Sequence, residues 1–404
     1  MRGSGLKAII FCWLIYGFFY LNRLNLSPVI PLIMADLEIT HSRIGLVGAL
    51  FYLTYTLIQL PAGFLADTFG ATRIIVAGGT ISALANLLFG FGNRLLHLVL
   101  SQCLNGLGQG CGFTTIIKII DRHFPVSQRA RALGLVMTST AFFNVAAFYI
   151  AALIGEMFGW RTVFFSAGLL FIPVLVFFAW AMKTLDPEKR EKGKTLNTPK
   201  PGSAENVKSL SRHVLSKKMV LLSLGFFCLC YITYGNLVWL PSFLFETYHL
   251  SLPAAGLLAA LYPLAGIVSR PLGGYVSDVH FKGKRRQTVL AGWGAVLVST
   301  MLLIHIDNFA VNICLIFIIG FFDNFVGPLF FAWVLDMVPD RHAGSGAGTL
   351  QFFGHIGTVL SIYISGLIID GFHSYRPFFL VLSVVSLTGV IAIWMIDEPK
   401  EKYS

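Results

Sequence analysis

The chain has 404 residues, of which 56% are hydrophobic and only 12% are charged. Ordinary soluble domains carry about 25% charged residues, so this composition excludes a soluble globular protein and indicates a chain that crosses a membrane repeatedly. The formal net charge of +11 raises the question of a polyanionic partner, which the distribution of the basic residues answers.

Apolar stretches of about 17–25 residues, the length that spans a bilayer as a helix, follow one another along the whole chain. The predicted fold is therefore an all-α polytopic membrane protein with twelve transmembrane helices in two six-helix halves. The first stretch lacks a small-residue cleavage site, so we expect it to be retained. The predicted spans are 8–34, 44–62, 74–92, 98–119, 132–155, 162–182, 219–245, 252–275, 288–305, 309–335, 344–369 and 377–396.

Basic residues are concentrated on one side of these spans. If the N-terminus is cytoplasmic, four of the 30 Lys and Arg residues fall in outer loops, two fall deep inside spans, and the rest lie in cytoplasmic segments or at the cytoplasmic end of a span. This asymmetry follows the positive-inside rule and predicts that both termini face the cytoplasm. The basic charge thus reflects topology, and we expect no nucleic-acid partner.

A polar connection separates the sixth span from the seventh. Ten basic residues lie between Lys183 and Lys218, where Pro, Gly, Ser and Lys replace the apolar runs. Such a composition is typical of a linker rather than of a packed domain. We therefore predict a first six-helix bundle over 1–183, a basic cytoplasmic linker over 184–217 and a second bundle over 218–404.

The two halves contain related turns. "GFLADTFGATR" (63–73) follows the second span and "GGYVSDVHFKGKRR" (273–286) follows the eighth. The first turn resembles the signature of the major facilitator superfamily, G-x-x-x-D-x-x-G-x-x-R/K. Glycine permits close helix packing and a tight turn, and the resemblance implies that the carboxylate and the arginine form a conformational latch. The predicted latch residues are Gly63, Asp67, Gly70, Arg73, Gly274 and Asp278.

Four more segments resemble the organic anion:cation symporter branch of that superfamily, whose members carry hexuronates, sialate, inorganic phosphate or carboxylates. They are "YLNRLNLSPVIP" (20–31), "HFPVSQRARALG" (123–134), "GWRTVFF" (159–165) and "WLPSFL" (239–244). The sequence departs from this pattern where Asn22 replaces an aspartate, and where Gln102 and Gln109 replace an arginine and a glutamate. An amide can bond a substrate but cannot carry a proton, so the resemblance does not extend to proton coupling at Gln109.

Four ionisable residues fall deep in the predicted spans: Arg23, Arg270, Asp323 and His355. A charge at mid-bilayer costs about 2.5–3.5 kcal/mol even on insertion scales, so each needs a partner, water or a function. The arginines could grip a carboxylate bidentately. Alternatively, either arginine could be neutralised by Asp323 in a buried ion pair that holds helices together.

The resemblance implies that spans 1, 4, 7 and 10 line a central cavity flanked by spans 2, 5, 8 and 11. On that basis the substrate-binding candidates are Arg23, Arg270, Gln102, Gln109, Tyr234, Asn236 and Asn324, and the coupling or ion-pair candidates are Asp323 and His355. We predict no catalytic residues, no metal site and no cofactor, since the chain contains no Walker-type phosphate loop.

The predicted function is secondary active transport of a small, carboxylate-like organic anion by alternating access. Whether this transport is coupled to an ion or a proton stays open. We expect a monomer in a bacterial or archaeal plasma membrane, with the lipid bilayer and a small anionic substrate as its partners. Two alternatives stay open: an exporter of an amphipathic or cationic compound, and a substrate sensor that keeps the carrier fold without transporting.

Overall fold

The computed structural model describes residues 3–185, 216–339 and 342–397, and every regular element in these ranges is helical. Ten helical segments of this described part are long and apolar enough to cross a membrane, and a bent helix makes an eleventh. The protein is thus an all-helical, multi-pass membrane protein. Of the predicted linker 184–217, residues 186–215 lie outside the described residues.

The helices of the first half contribute to two apolar clusters, one of their own and one shared with the second half. They are α1 (Gly3–Leu24), α2 (Ile30–Leu37), α3 (His41–Phe69), α4 (Ala71–Gly90), α5 (Leu95–Gly110), α6 (Gly112–His123), α7 (Val126–Phe158) and α8 (Trp160–Leu185). Helix α3 is the bent one, turning by 50° between Gln59 and Pro61, because proline removes a helical hydrogen bond and its ring clashes with the preceding turn.

The predicted fourth span, 98–119, consists of two shorter helices. Helices α5 and α6 have 16 and 12 residues and meet at Cys111, so neither is long enough to count as a spanning helix by itself. Together they run the same course as the predicted span, which accounts for the difference between the twelve predicted spans and the eleven found.

The second half repeats the arrangement. Its helices are α9 (Lys217–Tyr248), α10 (Leu252–Ala259), α11 (Leu261–Tyr275), α12 (Arg285–His305), α13 (Phe309–Met337), α14 (Ala343–Phe372) and α15 (Arg376–Trp394). Side chains of Ser216, Ser251 and Asn308 accept hydrogen bonds from the first turns of α9, α10 and α13, which satisfies free backbone N–H groups at these helix starts.

The halves pack against each other through α3 and α14 and through α7 and α10. Because successive spans reverse direction, the bundle has two ends. We call them the His41 end, where α3 begins, and the Asp67 end, where α3 finishes. A Cβ added at Gly45 would lie 2.9 Å from the carbonyl oxygen of Ile362, so backbones of the two halves touch near the His41 end.

Candidate functional site

Arg23 lies near the end of α1, only 9% exposed. Its Nε donates a hydrogen bond to Gln109 Oε1 at 3.0 Å. Its guanidinium carbon is 4.5 Å from the centroid of the Tyr20 ring, 4.6 Å from Tyr55 and 5.9 Å from Phe51. Aromatic faces attract a cation and replace part of its hydration. We call these five residues the Arg23 cluster.

The charge of Arg23 is not neutralised by an acid. Within the described ranges no Asp or Glu oxygen lies within 4 Å of its guanidinium, and the bond to Gln109 is its one hydrogen bond. The two terminal nitrogens of the planar fork therefore have donors to spare. These donors match the two oxygens of a carboxylate.

A chain of neutral amides fixes the orientation of Gln109. Its Nε2 donates to Asn105 Oδ1 at 3.0 Å, and Ser82 Oγ donates to the same oxygen at 2.6 Å. Asn105 Nδ2 in turn donates to Gln102 Oε1 at 3.3 Å. Because the amide nitrogen of Gln109 is used in this way, its oxygen is left to face Arg23. The two predicted candidates Gln102 and Gln109 thus belong to one network beneath the arginine.

Glycines in α5 bring this network close to α3. A Cβ added at Gly106 would collide with the carbonyl oxygen of Phe51, and one added at Gly110 would crowd the carbonyl oxygen of Tyr55. Helices α3 and α5 therefore pack backbone to backbone, as small residues allow in membrane proteins. This packing places Tyr55 and Gln109 on two sides of the same guanidinium.

Asp323 lies on α13 in the second half and is 2% exposed. Its Oδ2 accepts hydrogen bonds from Tyr262 Oη at 2.6 Å and Thr233 Oγ1 at 2.7 Å. Its Oδ1 is buried without a hydrogen-bond partner among the described residues. Sequence reasoning missed both hydroxyl donors, since a lone Tyr and a lone Thr in apolar helices carry no distinguishing signal.

Arg270 is exposed and donates from Nε and Nη2 to Asn324 Oδ1, at 3.0 and 2.7 Å. It lines a cavity of about 670 Å³ between α7 and α11. The described residues show no ion pair between Asp323 and either Arg23 or Arg270, because neither arginine has a carboxylate oxygen within 4 Å. Hydroxyl groups bond Asp323, and side-chain amides bond the two arginines.

Two predicted residues of the second half approach the Arg23 cluster. The His355 ring lies 5.5 Å from the Tyr55 ring, and its Nδ1 is buried without a hydrogen-bond partner in the described structure. The Tyr234 ring lies 4.8 Å from that of Tyr52, which in turn lies 4.8 Å from the Phe51 ring of the cluster. Asn236 shows no hydrogen bond to this cluster in the described structure. Its Nδ2 donates to the Ile232 carbonyl oxygen of its own helix at 2.8 Å.

A second polar cluster closes the His41 end. His41 Nδ1 lies 2.9 Å from Asp370 Oδ1, and its Nε2 lies 3.2 Å from the carboxylate of Glu246. The Ser42 backbone N–H donates to Asp370 Oδ2 at 2.7 Å, and Tyr375 Oη donates to Glu246 Oε2 at 3.0 Å. These five residues, the His41 cluster, join the start of α3 to α9, to α14 and to the residue before α15 in the other half.

The tyrosine of this cluster remains a neutral donor. Burial, followed by the charge of Glu246, raises the pKa of the Tyr375 phenol well above its usual range. A phenol with such a pKa keeps its proton at any physiological pH. Sequence analysis did not select these residues, because polar side chains at helix ends are common in every span.

The predicted latch is arranged differently from expectation. Asp67 pairs with Lys118 of α6 rather than with Arg73, and Lys118 Nζ also donates to the Gly63 carbonyl oxygen at 2.5 Å. Gly70 forms the turn between α3 and α4 with φ +90°, a conformation that favours glycine.

The expected close helix approach at Gly63 is wrong for this conformation, and Gly274 is equally open. A Cβ added at either glycine meets nothing within 4 Å. Past the bend at Pro61, α3 is packed on the side of Ala62 and Ala66, which are fully buried, whereas the Cα of Gly63 is directed to open space, which explains the missing contact. In the second copy of the turn, Asp278 Oδ1 lies 2.5 Å from Arg285 Nη1.

We expect Asp67→Asn to lower the transport rate by about 5- to 150-fold, the range of typical coupling energies, while leaving the protein folded. Asp67 is exposed, so its loss removes a charged contact with Lys118 rather than core packing. Transport in proteoliposomes and the melting temperature measure the two effects. Asp397→Asn, an exposed acid without an ion pair in the described structure, is the matched control. Equal rates in both variants would argue against the latch.

A two-half helical bundle with a polar cluster buried where the halves meet is typical of multi-pass membrane transport proteins. The chain belongs to the Major Facilitator Superfamily, whose family model matches residues 12–362 and again 222–404. This confirms the resemblance drawn from the turn at 63–73 and the predicted fold.

Similar proteins agree with this assignment. The hexuronate transporter of Bacillus subtilis (strain 168) is 26% identical over 96% of this chain and 93% of its own. The membrane sensor protein UhpC of Escherichia coli (strain K12) is 24% identical over 95% of this chain and 90% of its own. The crystal structure of the nucleoside transporter NupG superimposes with a TM-score of 0.80 at 13% identity, covering 98% of this chain and 100% of that one.

Proposed function

We propose that the protein is a secondary active transporter that moves a small, carboxylate-bearing organic anion across the membrane by alternating access. The observation that carries the proposal is Arg23, a buried cation without an acidic partner in the described structure, facing the junction of the two halves. A cation left unpaired in a dry site is costly unless a ligand neutralises it during function. The similarity to a hexuronate transporter supports an acidic substrate.

The substrate would be held between the halves. Arg23 supplies the in-plane donors, Gln109 keeps the guanidinium in place, and Tyr20 and Tyr55 cover its faces, so the anion approaches only along the edge of the fork. Tyr234 and His355 would complete the site from the second half. Substrate-dependent contacts with both halves are what alternating access requires.

Coupling to a proton, where present, would use Asp323. Gln109 cannot titrate, whereas Asp323 has one oxygen bonded by Tyr262 and Thr233 and one oxygen free of protein donors in the described structure. Arg270, together with Asn324, would attract anions toward the cavity between α7 and α11.

The charge distribution supports an orientation with both termini in the cytoplasm of a bacterial cell. In that orientation the His41 cluster would close the outer face, and the structure would correspond to an inward-facing state. A transporter of this kind needs no catalytic residues.

Two other functions are less well supported. An exporter of cationic compounds would have to bring its substrate beside the uncompensated charge of Arg23, which repels cations. A sensor on the same fold is suggested by the similarity to UhpC. Such a sensor would bind the substrate without moving it, so a transport measurement distinguishes it from a transporter.

The deciding experiment is counterflow in proteoliposomes. Vesicles loaded with an unlabelled hexuronate or a similar monocarboxylate should take up the labelled compound transiently when they contain the protein, and empty liposomes should not. A thermal-shift screen of organic acids, amino acids, sugars and cationic drugs first selects the compound. Binding of an organic anion without any counterflow would support the sensor, and a shift by cations alone would support the exporter.

A further inference from the structure

A cavity of about 510 Å³ opens at the Asp67 end, between α3, α4, α6 and α8, away from the Arg23 cluster. Three basic side chains line it: Arg73 of α4, Arg122 of α6 and Lys183 of α8. None of them has a carboxylate oxygen within 4 Å in the described structure. Three cations around one cavity repel one another, so an anion placed there would be stabilised by all three.

The second half shows that this lack of acids is not a general property of the turn. There Arg285, in the copy of the same turn, contacts Asp278 at 2.5 Å and Asp336 at 3.3 Å. In the first half, Asp67 is taken by Lys118, which leaves Arg73 without that acid. Arg73 instead faces the cavity.

The cavity also has an apolar wall ordered along the membrane normal. On α4, Arg73 lies at the membrane end, and Val76 and Ala77 follow one turn deeper. On α8, Lys183 lies at the membrane end and Ala179 one turn deeper. Cations at the rim with small apolar residues beneath them match a molecule that carries its charge at one end and hydrocarbon at the other.

Large apolar side chains continue this wall onto the lipid-facing surface. Phe69 lines the cavity and is 55% exposed, and Trp180, the residue after the cavity-lining Ala179 in α8, is 61% exposed. A soluble anion has no use for such a surface, whereas acyl chains would cover it. Basic pockets between transmembrane helices are suited to phosphate-bearing lipid head groups.

We propose that this cavity binds the phosphate of an anionic phospholipid, held by Arg73, Arg122 and Lys183, with the acyl chains lying against Phe69, Val76 and Ala179. The site is distinct from the transport pathway. Its occupant is a component of the membrane rather than a transported solute.

The test compares two variants of equal charge. Arg73→Gln, Arg122→Gln, Lys183→Gln removes three cations from the cavity. Arg131→Gln, Lys282→Gln, Lys284→Gln removes three exposed cations of the same end that do not line it. Native mass spectrometry of the detergent-purified full chain measures the binding of phosphatidylglycerol, of phosphatidylcholine and of inorganic phosphate.

We expect phosphatidylglycerol affinity to fall by at least about 10-fold in the cavity variant and by less than about 3-fold in the control, from the typical contribution of each basic contact. Equal losses in both variants would overturn the proposal, because they would show a general surface charge effect. Full competition by millimolar inorganic phosphate would overturn the assignment to lipid.

If the triple cavity variant does not fold, the single variants Arg122→Gln and Lys183→Gln decide, since both residues are exposed. Each should lower phosphatidylglycerol affinity by about 5-fold, against no change in Arg131→Gln. No loss in either single variant would contradict the proposal.

Discussion

Arg23→Lys should lower the affinity for the anionic substrate by about 10- to 150-fold, the equivalent of one charge-assisted hydrogen bond of about 1.5–3 kcal/mol. Lysine keeps the positive charge but loses the planar fork, and a single ammonium cannot bond Gln109 and both carboxylate oxygens in the same geometry. Isothermal titration with the compound found by the screen measures the loss. Arg94→Lys, at an exposed arginine at the start of α5, is the matched control and should bind normally.

A second comparison separates binding from helix packing. Arg23 has no contact with Asp323 in the described structure, so the double variant Arg23→Ala, Asp323→Ala should be no more stable than the additive effect of the two single changes. Melting temperatures of the four proteins measure this. Recovery of stability in the double variant, together with unchanged affinity in Arg23→Lys, would show that the arginine is a structural ion-pair partner.

In Asp323→Asn, a pH gradient should no longer increase uptake above the level reached without a gradient, while counterflow persists. The amide keeps an oxygen for the hydroxyls of Tyr262 and Thr233 but cannot take up or release a proton. Uptake of labelled substrate into proteoliposomes with and without a pH gradient measures the effect.

The control is Asp307→Asn, an exposed acid paired with Arg376 at the His41 end, which should accumulate substrate normally. If part of the accumulation survives in Asp323→Asn, His355→Gln should remove the rest. Full accumulation in the variant that carries both changes would show that neither residue couples transport to protons.

The general architecture follows from hydropathy, because the bilayer forces apolar segments of fixed length to be helical. The break at Cys111 does not, since Gly110, Cys111 and Gly112 interrupt no apolar run. Hydropathy does not report such a break, because a change of backbone direction between two glycines alters no side-chain polarity.

Deep charges could be selected from the sequence, whereas their partners could not. Arg23 and Asp323 stand out as expensive residues in apolar helices. Gln109, which bonds Arg23, is 86 positions away in the chain, and Tyr55 is one aromatic residue among many. Lys118 replaces Arg73 as the partner of Asp67 because α6 passes beside the end of α3, a proximity that depends on the tertiary fold.

The closure of the His41 end has a consequence for how fast the protein can work. At this end the halves meet through apolar and polar contacts. Val29 and Ile44 of the first half share a buried apolar cluster with Trp239 and Leu240 of the second. Beside the His41 cluster, the polar contacts include Ser27 Oγ, which lies 2.8 Å from the carbonyl oxygens of both Leu237 and Val238. Water can replace each such bond, so breaking one costs only about 0.5–1.5 kcal/mol net.

Where the backbones of the two halves touch, the contact residues are glycines, so no side chains interdigitate at these points. A Cβ at Gly366 would crowd the His41 carbonyl oxygen, as one at Gly45 would crowd that of Ile362. Smooth surfaces of this kind can part without rotamer changes, and they can meet again in the same register. The polar bonds and the backbone contacts should therefore add little to the activation barrier for opening this end, and the exposure of the apolar surface around Val29 and Leu240 should set most of it.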